Sequence, residues 1–231
     1  MADSVLITSL FKCSALRICD IRIALEQNRR NPHIKEFVFL CEGNPTVLAE
    51  TFGVDLWTER KVELVEIKDR VRFHDFFEHA NRLYSGKVVI ACNSDIYFDY
   101  TLGMVLNLDY LADPSGNNSR LMVLTRHNLC MVNGIKIEGV GRINGGSNDA
   151  WIFKSPILRF SWDIKVGIIG CDAYVAQSAK RGGLIVTNPC LSVRAIHFHP
   201  SLERGEQNLK GDQNYWHADD YVCAEIAPCS L

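Results

Sequence analysis

The sequence predicts an α/β protein: a mixed, mainly parallel central sheet flanked by helices. Three observations carry this. Short, largely apolar runs at 5–10, 36–41 and 88–92 have the composition of strands covered on both faces. Amphipathic stretches at 16–28 and 73–84 alternate with them. Strands and helices in alternation wind into a parallel sheet through right-handed crossovers.

In chain order, Val5-Leu6-Ile7-Thr8-Ser9-Leu10 reads as the first strand. Leu16 to Asn28 reads as a helix, with Asn31-Pro32 as its stop. Glu36 to Cys41 is a buried strand ended by Glu42-Gly43-Asn44-Pro45. Val62 to Ile67 alternates like a half-exposed strand, and Phe73 to Tyr84 is a helix ended by Gly86. Val88 to Cys92 suits the sheet centre. Further strands are expected at Leu121–Thr125 and Asp149–Phe153, with a polar, glycine-rich loop or hairpin over 132–146 between them. Asp172 to Arg181 reads as a helix stopped by Gly182-Gly183. Leu184–Thr187 and Ser192–His199 close the sheet, and beyond Ser201 the apolar periodicity is lost.

The chain of 231 residues, 47% hydrophobic, is long enough for one domain, expected over 1–204, with 205–231 as a tail or linker to further domains. A formal net charge of −2 provides no field for non-specific nucleic-acid binding. The nine cysteines form no C-x-x-C pair, and several sit inside apolar runs. They read as buried hydrophobes rather than zinc ligands or disulfides, which suits the cytoplasm. The segment Met1 to Thr8 does not read as a signal peptide, and no apolar run approaches the length of a membrane span.

Two constellations carry chemistry. The first is Asn93-Ser94-Asp95, at the end of an apolar strand and followed at once by Ile96-Tyr97-Phe98. Carboxylate and amide oxygens there are hard ligands for Mg²⁺ or Mn²⁺, which commonly share their coordination with a phosphate group. Open α/β sheets collect ligands at the carboxyl ends of their strands. The same three residues are also common turn formers. Asp99, four residues on, is a further acid close by. The second constellation is Gly170-Cys171-Asp172 with His197-x-His199. Asp172 reads as a helix N-cap or as a general base. The strand period of two puts both histidines on one face, where they can share a metal or serve separately as packing and surface residues.

An apolar strand running into an acid-x-acid element resembles the DxD pattern of GT-A glycosyltransferases, with Asn93 in place of the first acid. The order of the N-S-D segment, a Gly-Gly strand, an acid opening a helix and a strand ending in histidine resembles GT-A transferases such as the β-galactosyltransferases. It is closer to small domains with N-S-D-I-Y-F, N-D-A-W-I-F and H-x-H segments, found in polysaccharide-building proteins of bacteria and large algal viruses. The resemblance spans roughly residues 4 to 204 and implies a Rossmann-like GT-A fold.

It further implies a metal-dependent glycosyltransferase that moves a hexose or deoxyhexose from a nucleotide-diphosphate sugar, UDP-linked by preference, to a glycan hydroxyl. Asp95, with His199 or His197, would hold Mn²⁺ or Mg²⁺. Asn93, Ser94, Thr8, Ser9 and Arg72 would line the nucleotide side, with Arg70 and Arg204 as further candidates. Inversion needs one carboxylate base: Asp172 is preferred, and Asp149, two residues from Trp151 on which a sugar could stack, is the rival. The competing expectations are a metal-dependent hydrolase using the histidine pair and a non-catalytic nucleotide-sugar or glycan-binding domain. A nucleotidyltransferase is disfavoured, because residues 11–17 contain no glycine.

Overall fold

The structure is a computed structural model. It describes residues 3–107, 111, 119–132, 135–137, 148–168 and 170–201. The expectations for the Gly-Gly strand at Gly145-Gly146, for Arg204 and for the tail lie outside these residues. Strand β1 (Ser4–Leu10) is wholly buried and leads into helix α1 (Ala15–Arg30), which is N-capped by Ser14. Then come β2 (Glu36–Glu42), α2 (Pro45–Phe52), a single 3₁₀ turn (Val54–Leu56), β3 (Lys61–Ile67) and α3 (Phe73–Leu83). Strands β4 (Val88–Cys92) and β5 (Ile96–Phe98) flank the Asn93-Ser94-Asp95 turn, and α4 (Leu102–Asn107) follows. The second half contains β6 (Arg120–Asn128), a hairpin of β7 (Cys130–Val132) and β8 (Ile135–Ile137), and β9 (Asn148–Lys154). It closes with α5 (Cys171–Arg181), β10 (Ile185–Thr187) and β11 (Ala195–His197).

The main sheet has the order β3-β2-β1-β4-β9-β6-β11-β5, with β10 beside the first half of β6. Strands β3, β2, β1 and β4 run parallel. Strand β9 is antiparallel to both β4 and β6, and β5 is antiparallel to β11. The expected mainly parallel sheet is therefore present, with β9 reversed at its centre. The chain winds outward from β1 through β2 to β3 and then crosses back to β4 on the other side of β1. That reversal opens the crevice where α/β sheets bind ligands.

Side-chain alternation fills two apolar layers. One face packs Leu6, Phe37, Phe39, Ile90 and Ile152 under α1 and α2; the other packs Ile7, Val38, Val89, Trp151 and Phe153 under α3 and α5. Helix α2 is absent from the sequence reading, which took Asn44-Pro45 as a strand stop. Those residues are instead the start of this helix: Asn44 caps the Val47 N–H at 3.1 Å and Pro45 occupies the first turn.

Two asparagines join α1 to the end of the sheet. Asn28, 1% exposed, donates to the Ile96 carbonyl at 2.8 Å and accepts from the Phe98 N–H at 3.0 Å. Asn31 donates to the Phe98 carbonyl at 3.0 Å. These contacts satisfy backbone groups of β5 that β11 leaves unpaired, and so fix the strand that follows Asp95.

Candidate active site

Strand direction explains why residues far apart in sequence meet. The carboxyl ends of β1, β4, β6 and β11 lie at one end of the sheet, and β9, being reversed, starts there. Asp95 follows β4, Asp149 is the second residue of β9, and His197 ends β11. Phe198 donates its N–H to the Asp95 carbonyl at 2.8 Å, which holds the histidine segment against the Asn93-Ser94-Asp95 turn.

Asp95 is 5% exposed. Its Oδ2 faces His197 Nε2 at 2.8 Å and accepts from Arg17 Nη2 at 2.5 Å. Burial alone would raise this carboxyl, but the His197 and Arg17 contacts outweigh burial and hold it below the usual carboxylate range. His197 Nδ1 lies 3.1 Å from the Asn128 side-chain oxygen, an outer contact that turns Nε2 toward Asp95. The His199 ring stands perpendicular to that of His197, with centroids 5.4 Å apart. Ligand atoms of Asp95, His197 and His199 all lie within 4.8 Å of one another. One carboxylate oxygen and two imidazole nitrogens this close can hold a divalent ion and leave coordination positions for a ligand's oxygens.

Asn93 is not part of this cluster. Its side-chain N–H donates to Asp149 Oδ1 at 2.7 Å, and its backbone N–H donates to the Asp149 carbonyl at 3.0 Å. Asp149 is 2% exposed, and Arg126 Nη1 approaches its carboxylate at 3.4 Å. The pairing of β6 with β9 passes from Leu124↔Ala150 to Thr125↔Asn148, so Asp149 is the extra residue of a β-bulge. Asn188 fills the gap on the far side of β6, accepting from Thr125 N–H at 3.1 Å and donating to its hydroxyl at 2.8 Å.

Asp172 is the second residue of α5, not its cap. Gly170 caps the helix at φ 82°, a left-handed conformation that glycine adopts without strain. The Cys171 thiol donates to Asp172 Oδ1 at 3.1 Å. Burial first, and the neighbouring Asp149 second, push the Asp172 carboxyl well above its ordinary range. Asp95 and Asp172 are thus shifted in opposite directions, so one carboxyl is held ionised while the other keeps its proton to higher pH. Buried Cys92 and Cys171 thiols are both raised by burial, so they are poor nucleophiles.

Other candidates are placed as follows. Thr8 and Ser9 end β1 beside the cleft, and the Thr8 hydroxyl donates to the Cys92 carbonyl at 2.9 Å. Ser94 is 5% exposed. Arg72 pairs with Asp163 at 2.8 Å, and Arg70 donates to the Val166 carbonyl at 2.9 Å. Asp99 pairs with Arg194 and holds Thr101, so its carboxylate is engaged away from the cluster. The idea of Trp151 as a sugar platform is corrected: its ring is 1% exposed and packs edge-on against Phe73 at 4.6 Å. It is core because it lies on the sheet face that α3 covers. A groove of about 770 Å³ beside α3, lined by Leu40, Val65, Ile67, His74, Glu78 and Arg82 among others, shares no residue with the cluster. Sequence reasoning missed Arg17 and Arg126, whose partners lie 78 and 23 residues away.

No protein-family model matches the chain, and no curated protein sequence does. Its fold is that of the GT-A glycosyltransferases. A mannosyltransferase from Pyrobaculum calidifontis, solved in complex with GDP-Man and Mn²⁺, superposes with a TM-score of 0.55 at 16% identity, over 87% of this chain and 60% of that one. This chain thus spans about three fifths of that protein's length. TarS 1-349 of S. aureus is more distant, with a TM-score of 0.47 at 11% identity over 84% of this chain and 57% of that one. None of the described helices is long and apolar enough to cross a membrane.

Proposed function

We propose that this protein is a metal-dependent glycosyltransferase that moves a sugar from a nucleoside-diphosphate sugar to a hydroxyl of a glycan acceptor. The observation that carries this is the Asp95–His197–His199 cluster, standing at the crevice of a GT-A fold beside the oppositely shifted carboxyl of Asp172. Two imidazoles beside one carboxylate favour Mn²⁺ over Mg²⁺. When bound, the ion supplies positive charge to the departing diphosphate.

This chain's own residues do the rest. Asp95 is held ionised at the metal side. Asp172 accepts the acceptor hydroxyl's proton as that oxygen bonds to the anomeric carbon and the bond from that carbon to the diphosphate breaks, with inversion. Asp149, fixed by Asn93 and Arg126, binds an acceptor or donor-sugar hydroxyl and keeps the Asp172 carboxyl raised. Thr8, Ser9, Ser94 and Arg72 lie toward the nucleotide side. UDP is the first probe of the donor and GDP, as in the mannosyltransferase complex, the second. The hydrolase alternative is weaker, because Asp95, His197 and His199 form the single such cluster among the described residues.

The test is thermal unfolding with UDP, GDP and their sugars, with and without Mn²⁺. A nucleotide raises the melting temperature, and more so with metal, by mass action. No response to any nucleotide overturns the transferase reading.

A further inference from the structure

Arg17 is the third residue of α1, at the end of a helix where the backbone already projects positive charge and no acidic residue offsets it. A cation there is unfavourable unless an anion faces it. In this structure the anion is Asp95: Arg17 Nη2 lies 2.5 Å from Oδ2, the same oxygen that His197 meets. The guanidinium has donors to spare. Nη1 is buried with no hydrogen-bond partner among the described residues. Asp20 Oδ2 is 4.0 Å from Nη1, beyond hydrogen-bond reach, and accepts from the Ser201 hydroxyl and N–H. A buried, unspent donor costs free energy, so its place beside the cluster favours an acceptor that the described residues do not provide.

A divalent ion on Asp95, His197 and His199 competes with a guanidinium seated on the same carboxylate oxygen, because the two cations repel. The planar fork of arginine matches phosphate geometry. Resting on the transferase reading above, we propose that Arg17 neutralises Asp95 while the metal is absent, gives it up when the metal binds, and turns its free donors onto the diphosphate that the metal holds. Metal and Arg17 then compete for one oxygen, and diphosphate relieves the competition. The protein binds the metal weakly alone and firmly with nucleotide, a coupling carried by one side chain.

The experiment compares the wild type with Arg17→Gln, which keeps helix propensity, and with Arg22→Gln, which removes the same charge from an exposed position on the same helix. Calorimetry measures Mn²⁺ alone, then UDP and GDP at saturating Mn²⁺. Arg17→Gln binds Mn²⁺ alone about tenfold tighter than the wild type and binds nucleoside diphosphate about tenfold weaker, the scale of one hydrogen bond to a charged group. Arg22→Gln matches the wild type in both. Mn²⁺ affinity that is unchanged or lower in Arg17→Gln, nucleotide affinity that is unchanged, or equal effects from Arg22→Gln, each overturn the proposal and leave the transferase reading standing. A wild type that binds neither Mn²⁺ nor nucleoside diphosphate overturns both.

Discussion

Placing an acid at position 93 separates two accounts of this site. If Asn93 were a weakened metal ligand, Asn93→Asp would strengthen the site. The structure predicts damage instead. The Asn93 amide lies 2.7 Å from Asp149 Oδ1, and Asp149 is 2% exposed. Two carboxylates at that separation repel by about 6 kcal/mol at an effective dielectric of about 20, so the pair keeps one proton. Holding a proton on a group with an ordinary pKa near 4 costs about 1.4 kcal/mol per pH unit, or roughly 4 kcal/mol at pH 7. Arg126, 3.4 Å from Asp149, makes that an upper limit. The sign follows from linkage: the folded variant binds more protons than the unfolded chain above pH 4, so its stability falls as pH rises. Urea unfolding of wild type and Asn93→Asp at pH 5, 6 and 7 should show a deficit that grows with pH. A variant as stable as the wild type at pH 7, with tighter Mn²⁺ binding, would refute the reasoning.

Three further outcomes are expected. Asp95→Ala abolishes the Mn²⁺-dependent part of the nucleotide thermal shift, because it removes the one carboxylate of the cluster; a retained metal effect would place the ion elsewhere. Asp172→Asn keeps nucleotide binding and loses transfer. In the wild type the acid limb of kcat/KM lies above the ordinary carboxylate range, since Asp172 must ionise to accept a proton and burial and Asp149 hold its pKa up. Asp149→Asn removes that neighbouring charge and moves the limb to lower pH, and a limb near pH 4 in the wild type would move the base assignment away from Asp172. Asn28→Ala leaves the Ile96 carbonyl and Phe98 N–H without their partner and destabilises the fold by about 2–3 kcal/mol in urea unfolding.

The buried strands were legible because each is a short apolar run, and β1, β2 and β4 lie where the runs do. The cluster of Asp95, His197 and His199 was legible in outline, since an acid after one strand and two histidines ending another face the same end of a wound sheet. Helix α2 was missed because Asn44-Pro45 serves equally as turn and helix start, and α4 because six residues carry too little periodicity. Of the two readings of Asp172, the cap falls away because Gly170, two residues earlier, holds the left-handed cap position, which the sequence does not signal. The tie from Asn93 to Asp149 spans 56 positions and depends on a bulge in β9. A strand's own sequence does not encode the neighbour against which it slips by one residue. Trp151 was misread for a related reason: alternation says that it faces the side Asp149 faces, and only the packing of α3 shows that this side is dry.

The asparagine contacts on β5 bear on how this protein keeps company with other copies. A sheet ends in two strands whose free backbone groups can recruit a foreign strand. At one end Asn28 and Asn31 occupy the groups of β5 that an incoming strand would need. At the other, β3 carries Lys61, Glu63 and Glu66 along a half-exposed strand, so an approaching chain meets charge. Among the described residues, both of these edges are guarded by side chains rather than by further strands.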